Sequence, residues 1–317
     1  MSNALDPELA TAIDRLAADG RLPLTREDVD EARRNYRDLA LIRRGAGDQP
    51  VASVHDDVVE GPDADVVVRV YTPPEPRDLT VVWLHGGGWV LGDLDTADAA
   101  ARRVCRHLGA TVVSADYRLA PEHPHPAPLQ DAHAVLRWAS GRTGRLVVGG
   151  DSAGAGIAAG CALLARDWGP HLDAQLLLYP GLDPTMSHPS VTENADGPFL
   201  TAADMRWFWD RYVPEEQARL DPSVNLGEAA RLGELEELAP AVVATAALDP
   251  LRDEGLAHAA ALTAANVRVH VLHGAGLVHG YFGLGTASAA ARAEGDRALD
   301  ALSALLDQPT ELRASTT

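Results

Sequence analysis

The sequence is poor in cysteine, in cationic charge and in long apolar runs, and each shortage excludes a class of protein. Only two cysteines, Cys105 and Cys161, occur among 317 residues. Two thiols in a chain of this length do not make a disulfide framework. Cys161 lies in an alanine-rich helical stretch, where a small core residue belongs. Lysine and arginine together number 27 against 46 aspartates and glutamates, for a formal net charge of −19. Such a field repels phosphate backbones, so nucleic acid is not an expected partner. The acidity reads mainly as a solubility feature. No segment approaches the ~18 uninterrupted apolar residues of a membrane span, and the mean hydropathy is −0.10. The opening stretch, MSNALDPELATAIDRLAADG, is polar and acidic. It shows no basic region followed by an apolar run, so no secretory signal is visible and the cytoplasm is the expected location.

What is present is enough apolar material for a sizeable core, at 46% of the chain. Residues 7–43 read as helical, with Ala10, Ile13, Leu16 and Ala17 at helical spacing. Thr25, with Asp28 three residues on, resembles a capping signal for the second helix. Gly45 and Gly47 close this region. Strand-like runs follow at 51–59 and 66–71. From residue 79 strands and helices alternate. Strands are expected at 80–84, 110–117, 145–149, 174–179, 241–248 and 267–272. Helices are expected near 94–108, 129–140, 153–167, 252–265 and 287–306. This alternation predicts a parallel sheet with helices on both faces. The stretch 181–235 interrupts it with Pro184, Pro189, Pro198 and Pro214 and a helix at 200–212. With the N-terminal helices it is expected to form a cap over the strand ends.

Chemistry concentrates in a few short patterns. Gly150-Asp151-Ser152-Ala153-Gly154 follows a strand and opens a helix of small residues, the strand–turn–helix context of a nucleophile elbow. A sharp turn there needs residues without Cβ on either side of the serine. His85-Gly86-Gly87-Gly88-Trp89 follows the strand ending at Leu84. Consecutive glycines let backbone N–H groups approach a developing oxyanion. A phosphate loop is the alternative, but no Lys-Ser/Thr follows and the G-x-G-x-x-G spacing is missing. A serine nucleophile needs a base and an orienting carboxylate. His279 lies beyond the strand 267–272, and Asp249 lies just after the strand 241–248. Ser152, Asp249 and His279 stand in the Ser–Asp–His order of this kind of fold. Asp253 competes with Asp249, and His273 with His279. Asp253 sits a helical turn later, and His273 lacks the His-Gly-aromatic context. His123, His125 and His133 lack the carboxylates or cysteines that would complete a metal shell.

Taken in order, these motifs resemble the bacterial hormone-sensitive-lipase-like esterases, or family IV carboxylesterases, in the branch carrying Gly-Asp-Ser-Ala-Gly. Residues 85–89, Asp116-Tyr117-Arg118-Leu119-Ala120-Pro121-Glu122, 150–154, 249–255 and His279-Gly280 carry the resemblance, and Trp207-Phe208-Trp209 is similar to the family's cap. The resemblance implies an α/β-hydrolase fold with a mostly parallel sheet. Residues 1–47 would form an N-terminal helical cap segment. Residues 48–317 would form the catalytic domain, with a cap insertion at about 181–235. It implies Ser152 as nucleophile, His279 as base and Asp249 as its orienter. Gly87, Gly88 and Ala153 would be the oxyanion donors, and Gly86 would shape their loop. Tyr117 and Arg118 would brace the loop beside the elbow. Tyr281 stands where many members carry phenylalanine. Trp89, Asp151, Trp207 and Tyr281 are candidate substrate-pocket residues. The segment Trp207, Phe208, Trp209 and Tyr212 fits an acyl pocket or a cap core equally. The expected substrate is a small short-chain ester, with no metal and no organic cofactor. The same triad would serve an amide, a formamide, a lactone or acyl transfer. A non-catalytic receptor, as among the plant gibberellin receptors that lack the histidine, is disfavoured by His279. A homodimer through the sheet edge near 267–272 also follows from the resemblance.

Overall fold

A computed structural model describes residues 4–44 and 49–308. Helices α1 (Pro7–Ala18) and α2 (Val29–Arg44) precede strands β1 (Ser53–Val59) and β2 (Val66–Thr72). Next come β3 (Thr80–Leu84), α3 (Leu94–Leu108), β4 (Thr111–Ala115), α4 (Ala127–Ser140), β5 (Leu146–Asp151), α5 (Ala153–Trp168) and β6 (Ala174–Leu178). An insertion then contributes α6 (Pro189–Glu193), α7 (Ala202–Tyr212) and α8 (Leu226–Arg231). The alternation resumes with β7 (Ala241–Leu248), α9 (Arg252–Ala264), β8 (Val269–Val278) and α10 (Ala289–Asp307). The expected boundary at 47/48, Gly45 and Gly47, and the tail from residue 309 onward fall outside the described residues.

The strands form one eight-stranded sheet in the order β1-β2-β4-β3-β5-β6-β7-β8. β2 pairs antiparallel with β1 and β4, and the remaining pairs are parallel. All five residues of β3 are buried. Val82 and Leu84 join the core beneath α4 and α5, whereas Val81 and Trp83 join the one beneath α3 and α10. Successive strand residues face opposite sides, so a sheet covered on both faces needs an unbroken apolar run. The strand order also places the site. The chain steps from β3 outward to β4, then returns to β5 on the other side of β3. Loops leaving the carboxyl ends of β3 and β5 therefore diverge and leave a crevice between them. Leu84 is level with Gly150 across that pair, so His85 and Asp151 emerge side by side.

Two local expectations change. Thr25 does not cap α2. Asp28 does, accepting the N–H of Glu31 at 2.7 Å. The Thr25 hydroxyl instead donates to Asp204, which belongs to the capping box of α7, so the N-terminal segment is tied to the insertion. β8 does not stop at Leu272. It runs to Val278, through an irregularity that ends with Leu248 opposite Val278. Gly274 and Gly276 hide this continuation from a pattern based on β-branched residues.

Burial sets the chemistry of the remaining ionisable groups. Cys105 and Cys161 are buried and unlinked, and burial pushes the Cys105 thiol up to about 12. Among the described residues, no helix is long and apolar enough to cross a membrane. His258 on α9 is buried, and neither ring nitrogen has a hydrogen-bond partner among the described residues. Burial lowers its pKa from 6.5 to about 4, so it is neutral in the fold. The stability this provides is present in full above the unfolded pKa and is lost as pH falls through the folded one. The difference corresponds to roughly 3 kcal/mol. Urea titrations at pH 7 and pH 4 should show His258→Leu losing less stability on acidification than the parent chain. Equal losses would contradict the assignment.

Candidate active site

β5 ends one residue before Ser152, and α5 begins one residue after it. The serine takes φ 56° and ψ −121°, an unusual region for a residue with a side chain. Holding it there costs about 1–3 kcal/mol. The surroundings over-determine it. Its N–H donates to Leu178 at 2.9 Å, and its carbonyl accepts from Gly156 and Gly181 at 3.1 and 3.2 Å. The turn is also pressed against the end of β3. A Cβ on Gly154 would stand 2.0 Å from the Leu84 carbonyl oxygen. The tight backbone aims the Ser152 side chain out of the sheet.

Two strand ends supply its neighbours. Asp249 follows β7 and is fully buried, and His279 follows β8 and is 7% exposed. The Ser152 Oγ lies 2.9 Å from His279 Nε2, and His279 Nδ1 lies 2.8 Å from Asp249 Oδ2. The second Asp249 oxygen accepts the Leu251 N–H at 2.9 Å. A carboxylate at Nδ1 fixes the proton there, which leaves the Nε2 lone pair facing the hydroxyl. The insertion supports this loop. Asn194 donates to the Asp249 carbonyl at 3.2 Å, and the Ser190 hydroxyl donates to that of Pro250 at 2.7 Å. Asp253 is not a rival for His279. Its carboxylate pairs with Arg252 and accepts the Ser190 N–H. His273 lies on β8 with Nδ1 2.9 Å from the Thr245 hydroxyl. His125 faces Asp221, and His133 Nε2 lies 2.6 Å from the Gly169 carbonyl.

The loop after β3 faces the serine, and its hydrogen bonds decide which donors remain. Tyr117 donates its hydroxyl to the His85 carbonyl at 2.6 Å. The Gly86 N–H donates to Asp151 at 3.1 Å, and the Gly86 carbonyl meets His85 Nδ1 at 2.8 Å. The His85 ring is buried and stacks on Tyr117 at 4.3 Å, and burial lowers its pKa. It is therefore neutral, with its proton on Nδ1. The Gly87 carbonyl accepts from Val90 and Leu91 at 3.2 and 2.8 Å. In a trans peptide the C=O and the following N–H point in opposite directions. Fixing the carbonyls of Gly86 and Gly87 thus turns the N–H groups of Gly87 and Gly88 the other way, with no acceptor among the described residues. The N–H of Ala153, in the first turn of α5, also has no intrahelical acceptor. Gly88 has φ +60°, and a Cβ there would stand 2.1 Å from the Phe208 ring.

These groups share a cavity of about 130 Å³. Leu24, Tyr36 and Ala40 line it from the N-terminal segment, and Phe199, Met205, Phe208 and Trp209 from the insertion. Trp89 and Asp151 also line it. Asp151 spends one carboxylate oxygen on the Gly86 N–H, and Trp89 stacks on Tyr212 at 4.5 Å.

Trp207 and Tyr281 are corrections, because neither lies on the cavity wall. Met205, Phe208 and Trp209 share one face of α7 at i, i+3 and i+4 spacing, and Trp207 projects about 100° away from Phe208. There it lies under the Arg211 guanidinium, 3.7 Å from the ring centre. Gly280, at φ +74°, turns the chain so that Tyr281 packs beneath the site, edge-on to Tyr179 at 5.2 Å. Phe282 takes the wall position instead. The 3.6-residue period of α7 was the signal available for the first correction. A turn after a glycine offers no such period.

Sequence reasoning missed two arginines. Arg103 on α3 is buried beneath the His279 loop. It donates to the Phe282 carbonyl at 3.0 Å and pairs with Asp296 at 2.8 Å. Arg33 on α2 donates to the carbonyls of Val90 and Ala120 at 3.0 and 3.1 Å and forms a bidentate pair with Glu122. Nothing local marks either residue, since their hydrogen-bond partners lie 57 to 193 positions away.

Known proteins carry the same arrangement of sequence and fold. A family model described as alpha/beta hydrolase fold matches residues 81–283. Esterase LipI of Mycobacterium tuberculosis is 40% identical over 318 residues, covering 96% of this chain and 96% of its own. Carboxylesterase NlhH of the same organism is 45% identical over 252 residues, covering 75% and 78%. The structure of the hyperthermophilic esterase from the archaeon Pyrobaculum calidifontis superposes with a TM-score of 0.88 at 34% identity, covering 96% of this chain and 98% of that one. With a sheet of this order, a serine at this turn and relatives of this similarity, the chain belongs to the α/β-hydrolase family, among its hormone-sensitive-lipase-like carboxylesterases.

Proposed function

We propose that the chain hydrolyses short-chain carboxylic esters through an acyl-enzyme on Ser152. One observation carries the reading: a serine hydroxyl 2.9 Å from His279, whose other nitrogen is held by a buried carboxylate, opening into a small cavity. His279 takes the proton as Ser152 Oγ attacks the ester carbonyl carbon. The oxyanion forms against the N–H groups of Gly87, Gly88 and Ala153, each donor contributing roughly 2.7–4 kcal/mol to the transition state. The imidazolium is stabilised by Asp249 and then protonates the leaving alcohol. Water, deprotonated by His279, attacks the acyl carbon and frees Ser152. The route is complete with the chain's own groups and water. The N-terminal helices and the insertion act as a cap that keeps the reacting carbonyl out of bulk water.

The cavity sets the substrate. At about 130 Å³ it is comparable to the roughly 150 Å³ cavity that holds a benzene ring. An acetyl or butyryl group fits inside it, whereas a palmitoyl chain would extend beyond it. With p-nitrophenyl esters, kcat/KM for butyrate should exceed that for palmitate by at least about 100-fold, or ~2.7 kcal/mol. Equal values would remove the short-chain assignment. Pairing of two copies along the open edge of β8, where Val271 is exposed, belongs to the same reading. A purely monomeric species in sedimentation would remove that part.

A further inference from the structure

We propose that Arg33 is a positioning residue for the oxyanion loop, so that the N-terminal segment acts on the turnover rate and not only as a cover over the pocket. The inference rests on the esterase reading above for its substrate, but its geometry stands apart from the triad. Three contacts come together on one guanidinium. Its Nε donates to the Val90 carbonyl at 3.0 Å, at the end of the turn that begins at Gly87. One terminal nitrogen donates to the Ala120 carbonyl at 3.1 Å, in the loop after β4. The two terminal nitrogens grip both Glu122 oxygens at 2.8 and 2.7 Å.

These contacts hold the outer side of the loop. Ala120 itself donates its N–H to the Trp89 carbonyl at 2.9 Å. Arg33 therefore binds the glycine-rich loop directly at Val90 and indirectly, through Ala120, at Trp89. The inner side is fixed independently by Tyr117, His85 and Asp151. Between the two sets lie Gly87 and Gly88, whose flexible backbone must present two N–H groups in fixed directions. Trp89, with φ 63°, also needs outside support for its unusual backbone. A guanidinium meets this need because its planar fork can serve a carboxylate and two carbonyls at once. A lysine ammonium has no such fork. Arg33 touches no reacting atom, so its effect is on placement.

The expected result follows from when the interaction matters. Oxyanion donors bind the transition state more tightly than the ground state, so loosening them lowers kcat and leaves KM largely unchanged. Arg33→Ala should lower kcat on p-nitrophenyl acetate by about 10- to 100-fold. KM should stay within about twofold, and the far-ultraviolet circular dichroism should be unchanged. Ethylguanidinium added to Arg33→Ala should restore part of kcat and leave the parent unaffected. Arg33→Lys, which keeps charge and bulk, should retain the fold and lose most of the same activity. The rate of labelling by a fluorophosphonate probe should fall in parallel, since its phosphoryl oxygen uses the same donors. That readout needs no ester, so failure of the esterase reading would show as a parent chain that labels but does not turn over. A kcat within twofold of the parent in both variants would overturn the proposal. So would a loss confined to KM, or one that follows only the loss of folded protein.

Discussion

Replacing Ser152 with alanine should lower kcat for a short-chain ester by about 10⁶-fold without unfolding the protein. The size follows from the role. The hydroxyl forms the bond that defines the acyl-enzyme, and among the described residues no other hydroxyl hydrogen-bonds His279 Nε2. The fold should survive because alanine keeps the Cβ. The turn's strain is countered by backbone bonds to Leu178, Gly156 and Gly181, none of which involves the hydroxyl. Measurement with p-nitrophenyl acetate, on protein repurified from any contaminating esterase, checks this. A variant retaining a tenth of the parent activity would remove Ser152 from the mechanism.

Asp249→Asn should lower kcat by about 10⁴-fold. The substitution preserves volume in a fully buried position, so packing is undisturbed. It changes the chemistry at His279 Nδ1, now 2.8 Å from a carboxylate oxygen. An amide nitrogen turned toward the ring would force the proton onto Nε2, which then points at Ser152 and cannot accept its proton. An amide oxygen in the same place would leave the imidazolium without a counter-charge. Either arrangement removes the base. A fall of less than tenfold would show that the histidine is oriented by other means. His273→Ala, on the exposed side of β8, should leave turnover unchanged.

The parts of the molecule that place Ser152 and Asp249 were unequally legible in the sequence. The alternation of strands and helices from residue 80 onward predicted the parallel part of the sheet. Its physical cause is burial on both faces, which writes itself as unbroken apolar runs such as 80–84. Ser152 and the three glycines after His85 were legible because close backbone approach tolerates few residue types. Asp249 and His279 were legible from their places after strands, although β8 proved longer than its β-branched portion. Direction was harder to read than position. Trp207 and Phe208 are neighbours in sequence, yet only Phe208 faces the cavity. The reach of long side chains was hardest of all. Arg33 and Arg103 sit on helices among other polar residues, and their importance lies in carbonyls that no local pattern connects to them.

The electrostatics of the site are consistent with this arrangement. Burial pushes the Glu254 carboxyl well above the ordinary carboxylate range, and the Leu182 N–H bonds it at 2.6 Å. Among the described residues, the buried carboxylate that pairs with His279 is that of Asp249.

The central claim is that Ser152 carries the acyl group. Incubation with a fluorophosphonate, followed by digestion and peptide mass spectrometry, tests it directly. The expected result is a single adduct on Ser152, loss of ester turnover in step with its formation, and no adduct in Ser152→Ala. Labelling at another residue, or full turnover by protein whose Ser152 is completely modified, would contradict it.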